Sequence, residues 1–313
     1  MPSYMNRFMT NNAIFSCVCL LAFLLSTGGC AEEEPAEPHA REVLKSILET
    51  RDSLASQCGD GCIFLTFWDF DGTILKGDCS EGLREDGNLV YRGLVELTIE
   101  AGFSSKFRRN EAALFEEEYR QRDESRGHRD AYTFLTTQYG GAHPDEITAF
   151  ATKRFQEVYQ NYYFRSSLEV WNGLSEAGIQ NHIISASPHF FVLGAGPTLS
   201  APPERINGVR LKMRNGALLP VLDPPLTYAE GKTSKLKEIV DRIRKENPKK
   251  KVYVLAAFGN SYHTDGDFLK YVQELSLPAG KTSAIMINGG AAPEEYSEFW
   301  TVDQRLTARD TTE

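Results

Sequence analysis

Positive charge is scarce in this chain: 34 Lys and Arg stand against 43 Asp and Glu, a formal charge of −9 over 313 residues. That balance offers no general attraction to nucleic acid or to an anionic lipid surface, so a polyanionic partner would require strongly clustered basic residues. Paired Cys-x-x-Cys motifs are absent, which excludes a zinc ribbon. No internal repeat recurs. The apolar run at the N-terminus is too short to span a membrane comfortably. What remains is an ordinary globular composition, 41% hydrophobic, in a length that suits one large domain with an insertion or two modest ones.

Residues 1–29 read as a targeting segment rather than as fold. Arg7 is the only charge before the apolar core from Ala13 to Leu25, and the small residues Ser26, Thr27, Gly28 and Gly29 follow. Small residues leading into Cys30 resemble a bacterial lipoprotein box. The resemblance implies cleavage before Cys30, lipidation of its thiol, and an exported protein of the cell envelope that touches the membrane through the anchor alone. Thr27 stands where Leu is usual in that box, and a plain secretory signal is the alternative. Residues 30–40 form a short acidic, Pro-containing tether, expected to be disordered. From Arg41 to Gln57, Val43, Leu44, Ile47 and Leu54 fall at helical spacing. With the leader removed, Cys58, Cys62 and Cys79 remain. Export permits a Cys58–Cys62 disulfide, with a buried free thiol as the alternative for Cys62.

The unbroken apolar run from Ile63 to Trp68 predicts a strand covered on both faces. It ends in Asp69-Phe70-Asp71-Gly72-Thr73, two acids beside a glycine that permits a sharp turn and a hydroxyl that can hold a loop or an anion. Ligands of open α/β sheets bind at the carboxyl ends of strands, where these acids fall. Taken alone, the stretch could be an Asp-Gly turn closing a strand. As a whole it resembles the first motif of the haloacid dehalogenase superfamily, most of whose members transfer phosphoryl groups through an aspartyl-phosphate. The resemblance implies Asp69 as nucleophile, Asp71 as general acid and then base, and a Mg²⁺ ion bound by oxygen ligands.

Three further stretches extend the likeness in order along the chain. Ile179 to Ile184 predicts a strand ending in Ser185, whose hydroxyl can donate to a phosphoryl oxygen; Ser187 is the lesser candidate, and a helix cap before His189 is the plain alternative. His189 is expected to face solvent or cap that helix. Lys232 opens an amphipathic helix carrying Leu236, Ile239, Val240 and Ile243, with Lys235 and Lys237 as rivals for the same role of a fixed cation. After the strand Val252–Phe258, the segment from Gly259 to Asp267 matches a Gly-Asp motif followed by a second Asp, except that Asn260 stands where an Asp usually binds the metal. Asp265 is then the remaining acid of that motif, with Asp267 as substitute. The resemblance assigns Asp69, Asp71, Asn260 and Asp265 to the metal. His263 without a second histidine is poor support for a transition metal.

Between the first two motifs, residues 77–178 show helical periodicity and no strong strand signal. In the superfamily a helical insertion at this place covers the site and selects substrate, so an α/β fold is implied: a Rossmannoid parallel sheet from residues 41–76 and 179–313 with an inserted helical cap. Most cap aromatics, among them Phe107, Phe115, Tyr119, Tyr132 and Tyr139, are expected to pack between helices. Asp78 has the spacing of a Glu that lies near the substrate amine in phosphoserine phosphatases, and a helix-capping acid is the plain alternative. Asn215-Gly216 between alternating segments predicts a hairpin, and Ser283 to Asn288 a last strand, followed by an amphipathic end and a frayed tail.

The function so implied is Mg²⁺-dependent hydrolysis of a small organic phosphomonoester, held by Gly72, Thr73 and Asp78 beside the catalytic groups. A non-catalytic lipoprotein that binds a phosphorylated ligand would account for Asn260. A metal-independent dehalogenase would have no need of Asp71.

Overall fold

A computed structural model describes residues 38–58 and 61–310. The expected leader, Cys30 and most of the tether lie outside them. The central strand, β1 (Cys62–Trp68), lies between β4 (Gln180–Pro188) and β7 (Lys251–Gly259), and both run parallel to it. β5 (Ile206–Arg214) extends the sheet beyond β4, and β8 (Ser283–Ile287) and β9 (Trp300–Val302) extend it beyond β7. Only β6 (Ala217–Asp223), at the β5 edge, is antiparallel. The result is an α/β fold with a mainly parallel seven-stranded sheet.

The apolar run of β1 follows from its central place. Ile63, Leu65 and Phe67 pack on the side covered by α8 (Glu230–Glu246) and α9 (Gly266–Gln273). Phe64 and Trp68 pack on the opposite side with α1 (Pro38–Cys58) and α6 (Arg165–Glu176). Trp68 has no exposed surface; it stacks on Phe258 at 3.6 Å and meets the edge of Trp171 at 5.5 Å. The register sets Trp68 beside both Ile183 and Phe258. Three strand ends are thereby level, which brings Asp69, Ser185 and Asn260 to one rim of the sheet.

The insertion after β1 is not wholly helical. It opens with an antiparallel hairpin, β2 (Gly82–Glu85) and β3 (Asn88–Arg92), turning at Asp86 and Gly87 with φ of 49° and 81°. That pair of positive angles suits an Asp-Gly turn. The strands escaped the periodicity reading because they are short and largely exposed, with no apolar alternation. Four helices follow: α2 (Leu94–Ala101), α3 (Ala112–Arg126), α4 (His128–Thr137) and α5 (Pro144–Glu157). Phe107, Phe115 and Phe134 pack on one another between them, with Phe115 and Phe134 stacked at 5.4 Å.

Three boundaries move from their sequence-based positions. Helix α6 buries Val170, Trp171 and Leu174 against α1 and the sheet, so it joins the core layer rather than the cap. Helix α1 begins at Pro38 with Ala40 already buried, drawing in residues assigned to the tether. The C-terminal stretch is docked through residue 310: Arg165 donates its backbone N–H to the Leu306 carbonyl, and Thr307 is buried. It does not fray there.

The expected hairpin is formed by β5 and β6, with Asn215 and Gly216 at φ of 54° and 80°. The chain between β4 and β5 includes the short helix α7 (His189–Val192). Of the two states open to Cys62, the structure adopts the disulfide with Cys58, while Cys79 is a buried free thiol. Among the described residues, no helix is long and apolar enough to cross a membrane.

Candidate active site

At the end of β1 the backbone N–H of Asp69 donates to the Phe258 carbonyl at 2.8 Å, tying the first acid to the neighbouring strand. The chain then folds back: the N–H groups of Ile74 and Leu75 both donate to the Phe70 carbonyl. Gly72 adopts φ of +74°, and a Cβ there would strike the Asn260 carboxamide. Glycine is required on both counts. Across the rim, a Cβ on Gly259 would come within 2.5 Å of the Asp265 side chain, so the end of β7 must also be bare.

Asp69 and Asp265 are both buried and share one cation. Lys232 Nζ, with 1% exposure, donates to Asp69 Oδ1 and Asp265 Oδ1 at 2.5 Å each. Burial works against the ammonium, but the charges of Asp265 and Asp69 more than offset it and hold Lys232 above its ordinary range. Asp69 is pushed up to about 7 by burial and by the charge of Asp265, with Lys232 opposing. The second oxygens are also engaged. Thr73 Oγ1 donates to Asp69 Oδ2 at 3.0 Å, and the backbone N–H groups of Asn260 and Ser261 donate to Asp265 Oδ2 at 2.9 and 3.1 Å. Lys235 and Lys237, the rivals of Lys232, go elsewhere: one pairs with Glu238, the other lies over the Tyr271 ring.

Asn260 completes this acid pocket. One terminal atom of its carboxamide lies 3.1 Å from Asp69 Oδ2, 3.1 Å from the Asp71 backbone carbonyl and 3.3 Å from Asp265 Oδ2. All three neighbours are acceptors, so this atom is the amide nitrogen when nothing else stands between them. With the amide turned over, four oxygens would converge, a donor set that suits Mg²⁺. The residues present therefore fit the ion in one orientation of Asn260 and satisfy themselves in the other.

Asp71 contributes its carbonyl to that pocket, and its carboxylate points to a second cluster. Asp71 Oδ1 accepts the Cys79 backbone N–H at 2.7 Å, and Oδ2 accepts hydroxyls from Ser187 at 2.7 Å and Ser185 at 3.3 Å. Loss of hydration and the charge of Asp78 push Asp71 up to about 7, opposed by the Cys79 and Ser187 hydrogen bonds. Asp78 is likewise raised to about 7, by loss of hydration and then by Glu81. Its carboxylate accepts the backbone N–H groups of Ser80 and Glu81 at 2.6 and 3.0 Å, closing the turn that leads into β2 rather than capping a helix. Asp71, Asp78 and Cys79 place a ligand atom each within 4.8 Å of one another.

The sequence ranked Ser187 behind Ser185, yet Ser187 makes the shorter contact with Asp71. The available signal was the strand itself, in which residues two apart share a face. His189 does not cap the helix: it is half-buried, its Nδ1 has no hydrogen-bond partner, and burial pushes it down to about 3, helped by Arg210 and Lys235. His263 shares a hydrogen bond with the Tyr228 hydroxyl at 2.6 Å rather than reaching the acids. Its ring also meets His128 of α4 at 5.2 Å; Tyr132 meets Tyr228 at 5.4 Å, and Arg129 pairs with Glu230. These contacts seat the start of α4 over the loop that delivers Lys232.

No family model and no curated protein matches the chain. Its fold, however, is shared. A protein of unknown function from Bordetella pertussis Tohama I aligns with a TM-score of 0.57 at 13% identity, over 77% of this chain and 99% of that one. A conserved, functionally unknown protein from Anaerococcus prevotii DSM 20548 aligns with a TM-score of 0.54 at 12% identity, over 82% of this chain and 87% of that one. A HAD family hydrolase from Salmonella enterica serovar Typhi aligns with a TM-score of 0.46 at 13% identity, over 82% and 75% of the two chains. The likeness is one of fold.

Proposed function

We propose that the chain is a haloacid dehalogenase-type phosphatase that hydrolyses a small organic phosphomonoester through an aspartyl-phosphate on Asp69. The observation that carries this reading is the division of labour between two acids on one short turn. Both are pushed up to about 7, but their partners differ: Asp69 lies 2.5 Å from the buried Lys232 ammonium, whereas Asp71 accepts from hydroxyl and amide donors. One acid is thus suited to attack and the other to carry a proton.

In the first step Asp69 attacks phosphorus, the bond from phosphorus to the leaving oxygen breaks, and Asp71 gives that oxygen its proton. In the second, the Asp71 carboxylate takes a proton from water, the water oxygen attacks phosphorus, and the bond to Asp69 breaks to release phosphate. Lys232 offsets negative charge on Asp69 and on the transferring group, and Ser185 and Ser187 can donate to phosphoryl oxygens or hold Asp71 in place. Mg²⁺ would be held by Asp69, Asp265, the Asp71 carbonyl and Asn260 through its amide oxygen; when bound, it would screen the substrate's charge from Asp69. Asp78, close to Asp71 at the base of the insertion, supports a substrate carrying an amine.

An exported protein anchored through lipidated Cys30 is part of the same proposal, resting on the N-terminal sequence. The satisfied state of Asn260 favours one second reading, a ligand-binding protein that no longer turns over. Phosphate release by the purified protein across a panel of phosphomonoesters, beside Asp69→Asn, decides between them. Turnover that disappears in the variant is expected; none on any substrate, from folded protein, would leave the binding reading.

A further inference from the structure

The place between Asp69 Oδ2, the Asp71 carbonyl and Asp265 Oδ2 must hold something positive or hydrogen-donating. Asp69 Oδ2 accepts from Thr73 and Asp265 Oδ2 from two backbone N–H groups, yet two buried carboxylates still share one ammonium, and the Asp71 carbonyl faces the same place. Lys232 supplies only the opposite oxygens, Oδ1 of both acids. The atom that reaches all three acceptors is a terminal atom of Asn260, at 3.1, 3.1 and 3.3 Å. An Asp at this position could put only oxygen there and would need a cation to be stable. An Asn can present either end, and its nitrogen carries two hydrogens and a partial positive charge. The other end of the carboxamide is pressed against Gly72, where no side chain would fit, so the group is held in line with the three acceptors.

We propose that Asn260 makes the acid pocket complete without a cation: its Nδ2 donates to the acceptors that would otherwise face an ion, and a divalent ion is admitted only when the amide turns to present Oδ1. Mg²⁺ then binds weakly, and the fold does not depend on it. The proposal concerns the pocket of the phosphatase reading and draws on that reading for the relevance of a cation. Its test measures binding and stability, so a protein that releases no phosphate can still pass it and an active phosphatase can still fail it.

The probe is Mn²⁺, titrated into the full chain and followed by the magnetic resonance signal of the free ion, for wild type and Asn260→Ala; thermal unfolding is recorded in chelator and in millimolar Mg²⁺. Asn260→Ala removes a metal ligand, so an ordinary ligand role requires weaker Mn²⁺ binding. Here the expected result is the reverse: roughly tenfold tighter binding, because the competing amide is gone and three acceptors are left open. The wild-type unfolding temperature is expected to be the same in chelator and in Mg²⁺, and that of Asn260→Ala to be lower in chelator and to recover with Mg²⁺. A wild-type unfolding temperature that rises with Mg²⁺, or equal or weaker Mn²⁺ binding by Asn260→Ala, would overturn the proposal. Should Asn260→Ala fail to fold, Asn260→Ser takes its place in the same comparison, and the wild-type unfolding measurement stands on its own.

Discussion

Ser187 donates to Asp71 Oδ2 at 2.7 Å, and that single contact has a measurable sign. A hydroxyl donated to a carboxylate favours its ionised form, and here it works against the loss of hydration that raises Asp71 to about 7. Under the phosphatase reading the rate falls as pH climbs through that value, because the leaving oxygen needs the Asp71 proton. Ser187→Ala is therefore expected to move the alkaline limb of the rate profile upward by about one pH unit, since one lost hydrogen bond to a charged group is worth on the order of a pKa unit. Ser185→Ala, whose contact is longer at 3.3 Å, should move it less. An unmoved limb in both variants would mean that Asp71 does not set the profile. That the Ser-x-Ser pair shares a face was legible in the sequence; which hydroxyl comes closer depends on where β4 lies relative to the turn after β1.

Among the elements, α6 shows how packing reassigned what periodicity had found. Its amphipathic face is plain in the sequence, yet nothing local distinguishes a cap helix from one lying on the sheet. The deciding contact is Trp171 against Trp68, joined by a Trp171 Nε1–H hydrogen bond to the Leu199 carbonyl at 3.2 Å. Trp171→Ala removes a buried indole from between α1, β1 and α6, and should cost about 3–5 kcal/mol in denaturant unfolding, the range for truncating a large core aromatic. The β2–β3 hairpin is the converse case, since its short, exposed strands carry no alternation to announce them.

For the whole molecule, the half-buried acids at the junction of insertion and sheet govern how stability follows pH. Asp71 and Asp78 both rise from 3.8 to about 7 on folding, so the folded state holds their protons more tightly than the unfolded chain does. The stability this contributes is fully present below about pH 4 and is lost as pH rises through about 7. Urea unfolding should therefore give a lower midpoint at about pH 8 than at about pH 5, and Asp78→Asn should flatten that difference by removing one of the titrations in that window. A midpoint independent of pH across that window would show that these carboxylates stay hydrated in the folded protein. Such acids persist at a cost in stability.

The amino-acid sequence by itself determined the pieces that local chemistry can specify. These are the doubly apolar central strand, the Asp-x-Asp-Gly-Thr turn that must follow it, the Asn-Gly hairpin, the amphipathic face of α8 with Lys232 at its start, and the substitution of Asn260. Each of these is decided within a few residues. Tertiary structure alone decided what depends on groups far apart in the chain meeting in a dry interior: that Lys232 bridges Asp69 and Asp265, that Asp71 turns its carboxylate to β4 and its carbonyl to the acid pocket, and that Asn260 reaches three acceptors at once. A residue's type sets which hydrogen bonds it can make. Which of them it does make is set by the level strand ends that bring Asp69, Ser185 and Asn260 to one rim.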